Sequence, residues 1–167
     1  MQAQTAVPSV AREPHAFMKA FLSRDFEAMG EAVTPDVVLN SPILSKPFQG
    51  RDAVMELLEV VADTLEDLRY TADLDDGDTR IIVFRSRIAG KVEAESIDIL
   101  RFAEDGRIRE FTIMFRPLVA TTTLAAELGK RLGRRRARWR GFVAGSASRP
   151  SVWLARASDR IAPRLVN

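Results

Sequence analysis

The chain is 167 residues long, 46% hydrophobic and 29% charged, with no cysteine and one histidine, the proportions of one globular domain with room for an appendage. The missing cysteines exclude disulfide frameworks, thiolate metal sites and thiol nucleophiles, and His15 alone nearly removes imidazole chemistry, leaving carboxylates, hydroxyls, Tyr70 or arginine. The net charge of +2 hides two unlike parts: residues 1–118 carry 14 basic against 21 acidic side chains, whereas 119–167 carry 11 basic ones against Glu127 and Asp159.

This charge step divides the chain into a mobile start (1–12), a domain (13–118) and a basic helical extension (119–167). No stretch reaches the ~20 apolar residues that span a bilayer as a helix. The opening MQAQTAVPSVAR lacks the charged start and apolar run of a signal peptide, so the cytoplasm is the expected compartment.

In chain order, Glu13-Pro14 reads as a helix entry, and Phe17, Met18, Phe21 and Leu22 form an apolar stripe at helical spacing. A short helix follows, DFEAMGEAV with Asp25 as its cap, stopped at Thr34-Pro35 because proline disfavours helix in the residue before it. DVVLNSPI reads as a strand that leads into the loop SKPFQG. From Gly50 a four-turn helix carries Val54, Leu57, Leu58, Val61, Leu65 and Leu68 on one face.

The period then changes. Turn signals DDGD, AGK and EDGR separate four β-rich runs, LRYTADL, TRIIVFRSRI, VEAESIDILRF and RIREFTIMFRP, which predict an antiparallel meander. Helices followed by a meander give an α+β class rather than a parallel α/β sheet. Helical character resumes over 118–140, with Leu124, Leu128 and Leu132 spaced by four. GFVAGSAS at 141–148 reads as a linker, and a last amphipathic piece places Trp153, Ala157 and Ile161 on one face.

The order helix, short helix, strand, long helix opening at GRDAV, then a meander containing IDILRFAEDGRI resembles the nuclear transport factor two-like superfamily, with its SnoaL-like cyclases and ketosteroid isomerases, over residues 13–118. The resemblance implies a curved sheet closed by helices into a cone with an apolar interior, a homodimer formed through the outer sheet face, and no cofactor or metal. Ketosteroid isomerases use a carboxylate base, a Tyr donor and a protonated carboxylic acid. By position the base falls on Ser41, before Pro42 and nine residues ahead of Gly50; the Tyr donor falls on Phe17; the acid falls on Asp98. The resemblance therefore implies a relative of those enzymes without their steroid isomerisation.

Strand alternation singles out Asp98 independently: Ala94, Ser96, Asp98, Leu100 and Phe102 share one face, while Glu93 and Glu95 take the other. A lone acid among small and apolar neighbours should have a raised pKa. It would then donate a hydrogen bond to a ligand oxygen, or else be a core acid tied to Arg85, Arg87, Arg116, Tyr70 or Ser96. By position in similar proteins Ile82, Phe84, Phe111, Ile113 and Phe115 form the cavity wall and Phe17, Phe21 and Phe48 close its mouth, with Ser41, Tyr70 and Ser96 as polar candidates. His15 reads as a surface residue of a first helical turn, and Arg116 as a structural ion pair.

Such a cavity suits an apolar small molecule carrying a carbonyl or hydroxyl. The favoured function is binding of that molecule with Asp98 as anchor; the alternative is a cofactor-independent isomerase, cyclase or dehydratase with Asp98 as acid/base. Lys130, Arg131, Arg134, Arg135, Arg136, Arg138 and Arg140, around Trp139, suit contact with the acidic body or a second subunit, then an anionic membrane surface through 130–140. Nucleic acid is the weakest reading, because no nucleic-acid-binding motif accompanies the charge.

Overall fold

A computed structural model describes residues 15–135. The expectations for 1–14, the arginines and Trp139 beyond 135, the linker and the last amphipathic piece lie outside them. In chain order the elements are α1 (Ala16–Ser23), α2 (Phe26–Glu31), β1 (Val33–Asn40), β2 (Phe48–Gln49), α3 (Arg51–Ala62), β3 (Leu65–Asp76), β4 (Thr79–Ile88), β5 (Val92–Phe102), β6 (Ile108–Arg116) and α4 (Leu118–Arg135). The six strands form one curved mixed sheet in the order β2-β1-β6-β5-β4-β3, and the fold is α+β as the sequence predicts.

Both short helices owe their starts to side-chain caps. His15 Nδ1 accepts the Phe17 N–H at 3.2 Å, and Asp25 accepts the Ala28 N–H at 3.0 Å, each satisfying a first-turn donor that has no partner within the helix. The caps also set how the helices lie: α1 buries Phe17, Met18, Ala20 and Phe21 together.

Three local expectations are corrected. Thr34-Pro35 does not end a helix; it lies inside β1, where the pairing with β6 jumps from Val33 to Val38. Proline has no N–H for the ladder and is accommodated at that irregularity. The antiparallel meander is β3 to β6 as the four runs predict; β1 is not a strand apart but joins its end through a parallel pair with β6.

The helix from Gly50 stops at Ala62, with the Thr64 hydroxyl donating to Val60 O at 2.6 Å. Leu65 and Leu68 belong to β3. A register shift between Glu66 and Arg69, with Asp67 at φ 52°, puts both leucines on the core side three residues apart. A β-bulge changes side-chain parity in this way, so this one counterfeited a helical period. The β3–β4 reversal needs a left-handed residue and finds it in Gly77, at φ 68°.

The core fills the concave side of the sheet, where α1, α3 and α4 lie against it. It runs across the expected boundary at residue 118, because Ala120, Leu124 and Leu128 of α4 pack with Phe17, Leu57, Leu58 and Phe111. The apolar strip of the basic helix is thus buried against the chain's own sheet. Leu124, 4% exposed, is expected to cost about 2–5 kcal/mol of unfolding free energy when replaced by alanine. Leu118→Ala on the same helix, at a residue 65% exposed, should cost less than ~0.5 kcal/mol. Urea denaturation of the two variants checks both values.

Candidate functional site

Under the helices the sheet encloses a cavity of about 90 Å³. From α1 it receives Phe17, Met18 and Phe21; from the loop after β1, Ser41 to Leu44 and then Phe48; from α3, Leu57, Leu58 and Val61. Phe84, Ser96, Asp98, Phe111, Ile113 and Phe115 form the sheet side, and α4 closes the remaining side with Leu124, Ala125, Leu128, Gly129 and Leu132. Phe17 lies between Phe21 and Phe111, at ring distances of 6.4 and 5.1 Å. Asp98 is the only ionisable side chain among the lining residues.

Asp98 sits in the middle of β5, opposite Ile82 on β4 and Ile113 on β6. Burial pushes its carboxyl up to about 7, against a smaller downward pull from the Ser96 hydroxyl, because an apolar enclosure penalises the charged form. Ser96 Oγ lies 2.5 Å from Asp98 Oδ1 and 3.1 Å from Met114 O. A hydroxyl has one proton to give. It donates to Asp98 Oδ1 in either protonation state of the carboxyl, which leaves the Oδ2–H of the neutral acid to donate to another acceptor. None of the candidate arginines reaches Asp98. Arg85 and Arg116 flank Glu95 on the outer face at 3.3 and 2.9 Å, and Arg87 pairs with Asp67.

Two residues expected in the wall stand elsewhere. Ile82 is fully buried beneath the lining, and Tyr70 packs its ring edge-on against Phe84 at 6.3 Å. The Tyr70 hydroxyl is enclosed with no hydrogen-bond partner among the described residues. Burial first, then the charges of Asp98 and Asp73, hold its pKa well above the usual phenol range. Ser41 lines the cavity, but its oxygen accepts the N–H groups of Ile43 and Leu44 at 3.0 and 3.3 Å and so fixes the loop. His15 is half-buried rather than fully exposed: its ring lies 4.8 Å from that of Phe102, and burial followed by Arg80 lowers its pKa.

Sequence reasoning missed the α4 contribution, although the 124/128/132 spacing carried it. Among the described residues no cluster of His, Asp or Glu is placed to hold a metal ion. No helix among them is long and apolar enough to cross a membrane.

The profile of the SnoaL-like domain matches residues 15–111, from the cap of α1 to the middle of β6. The chain belongs to the SnoaL-like domain family. Among solved structures similar to it, a steroid delta-isomerase from Pseudomonas aeruginosa shares 32% identity over 77% of this chain and 99% of its own, with a TM-score of 0.70. An uncharacterised protein with a cystatin-like fold from Silicibacter pomeroyi shares 23% over 81% and 92%, TM-score 0.69. A putative polyketide cyclase from Sinorhizobium meliloti shares 18% over 59% and 90%, TM-score 0.50. No curated protein gives a significant match. The SnoaL-like match stops before α4, so the helix that closes this cavity lies beyond the part of the chain by which the family is recognised.

The raised pKa makes stability depend on pH with a definite sign. Folded Asp98 titrates near 7 and the ordinary carboxyl near 3.8, so between these values the folded state keeps a proton that the unfolded state has lost. The group's contribution therefore falls as pH rises from about 4 to about 7, by up to ~4 kcal/mol. Urea titrations at several pH values should show Asp98→Asn gaining on the wild type across this window. Parallel curves would contradict the assignment.

Proposed function

We propose that the protein binds a small apolar molecule carrying one acceptor oxygen, and that neutral Asp98 anchors that oxygen. One observation carries this: an apolar cavity with Asp98 as its sole ionisable lining group. Apolar walls supply affinity without direction, whereas a single buried donor fixes orientation, because leaving it unpaired costs more than pairing it gains. Phe17 and Ser41 occupy the positions at which similar isomerases carry the Tyr donor and the base. Phe17 has no hydroxyl, and the Ser41 oxygen is engaged with Ile43 and Leu44. Each such group supplies about 10²–10⁴-fold in general acid or base roles. A β,γ-unsaturated ketosteroid is therefore expected to isomerise at close to its uncatalysed rate in a dienone absorbance assay.

A second reading rests on the 32% identity to a steroid delta-isomerase together with an Asp98 carboxyl near 7, where a group gives and takes protons with equal ease. On that reading Asp98 alone serves as acid/base in an isomerase, cyclase or dehydratase acting on another substrate. The outer sheet face, where Ile97 and Met114 are exposed opposite one another, is the proposed contact for a homodimer.

A small ketone tests the anchor, since a ketone accepts hydrogen bonds and donates none. Cyclopentanone, titrated calorimetrically, should bind up to about tenfold more tightly at pH 5.5 than at pH 8.5, as the Asp98 proton donor is lost. Asp98→Ala should abolish the pH dependence. Equal affinity at both pH values in the wild type would rule out the anchor.

A further inference from the structure

The cavity volume, about 90 Å³, is small for this lining. Pockets for drug-sized ligands begin near ~300 Å³. Sheet, α1 and α3 alone would leave a cone open on one side. α4 fills that side, turning toward the cavity the residues Leu124, Ala125, Leu128, Gly129 and Leu132, which at spacings of three and four form one helical face. Three of them are bulky and two small: Leu124, Leu128 and Leu132 narrow the cavity, and Ala125 and Gly129, one turn apart, leave space beside them.

We propose that α4 is the size filter of this site: Leu128 and Leu132 narrow it against fused-ring ligands, while Ala125 and Gly129 keep the space that a small monocyclic ketone uses. The proposal rests on the ligand reading above and narrows it to the ligand's dimensions. It places the filter on a helix outside the segment matched by the SnoaL-like profile. A leucine at 129 would project into the space that the ligand uses. The same change at Gly133 would not: that residue is exposed, and a Cβ there meets nothing within 4 Å. Leucine is the better helix former at either position, so the two substitutions share their effect on α4 and differ in the direction the new side chain takes.

The test uses the full chain and two ketones, cyclopentanone and the bicyclic 1-decalone, titrated calorimetrically at pH 5.5. A misfit of even one methylene in a closed pocket costs about tenfold or more. The wild type should bind cyclopentanone at least about tenfold more tightly than 1-decalone. Gly129→Leu should weaken cyclopentanone by about tenfold or more while Gly133→Leu stays within about twofold. Leu132→Ala, at the half-buried end of the lining, should bring 1-decalone to within about threefold of cyclopentanone.

Wild-type protein that binds 1-decalone as tightly as cyclopentanone overturns the filter, and this comparison needs no variant to fold. Equal behaviour of Gly129→Leu and Gly133→Leu overturns it too, with thermal melts establishing that both are folded. If cyclopentanone binds with the Asp98-dependent pH profile and neither size comparison holds, the filter alone is wrong. If neither ketone binds the wild type, the ligand reading fails and the filter with it.

Discussion

A sheet bent enough to have an inside presents a concave apolar face that water must not reach, and most of this molecule is arranged around covering it. α1 supplies Phe17 and Phe21, α3 supplies Leu57 and Leu58, and α4 supplies Leu124 and Leu128, all packed on strands whose inward residues are Phe84, Leu100 and Phe111. The covering is incomplete by about 90 Å³. Into that remainder faces a carboxyl that the same enclosure keeps from ionising at its ordinary pKa. The chemistry of the site thus follows from the packing: desolvation favours a proton on Asp98, and a protonated acid is a hydrogen-bond donor.

The Ser96 hydroxyl lets this arrangement persist in both protonation states. It lies within reach of Asp98 and of the Met114 carbonyl, so the buried carboxyl always has one neighbour able to complement it. An arginine in the same place would have fixed Asp98 as an anion and closed the site to neutral ligands. Arg85 and Arg116 are instead on the outer face, around Glu95, and the buried Arg80 is paired with Asp73. The Tyr70 hydroxyl lies behind Phe84, outside the lining, enclosed without a hydrogen-bond partner among the described residues, and burial keeps it un-ionised.

Much of this was legible in the chain because it is written in local alternation. β4 and β5 begin and end at the residues that the runs TRIIVFRSRI and VEAESIDILRF predict, and parity alone put Asp98 on the inner face. Features that depend on long-range pairing or on broken parity were not legible. The parallel β1–β6 contact joins segments some seventy residues apart, Asn40 beside Thr112. Bulges in β3, between Glu66 and Arg69 and between Tyr70 and Ala72, gave Leu65 and Leu68 a helical spacing and left the direction of Tyr70 unreadable. In α4 the abrupt rise in positive charge after residue 118 suggested an extension held to the acidic body or a second subunit by its charge, whereas it is the leucines at 124, 128 and 132 that join it to the core. Charge reports the outer face of a helix and says nothing about the inner one.

The account stands on Asp98 being a neutral carboxylic acid in the wall of an apolar cavity. Its carboxyl carbon, followed by NMR in protein labelled with ¹³C aspartate and assigned by comparison with Asp98→Asn, reports that state directly as pH is varied. An inflection near 7 is the predicted result. An inflection near 3.8, the ordinary value for this side chain, would show that water reaches the carboxyl and would contradict the account.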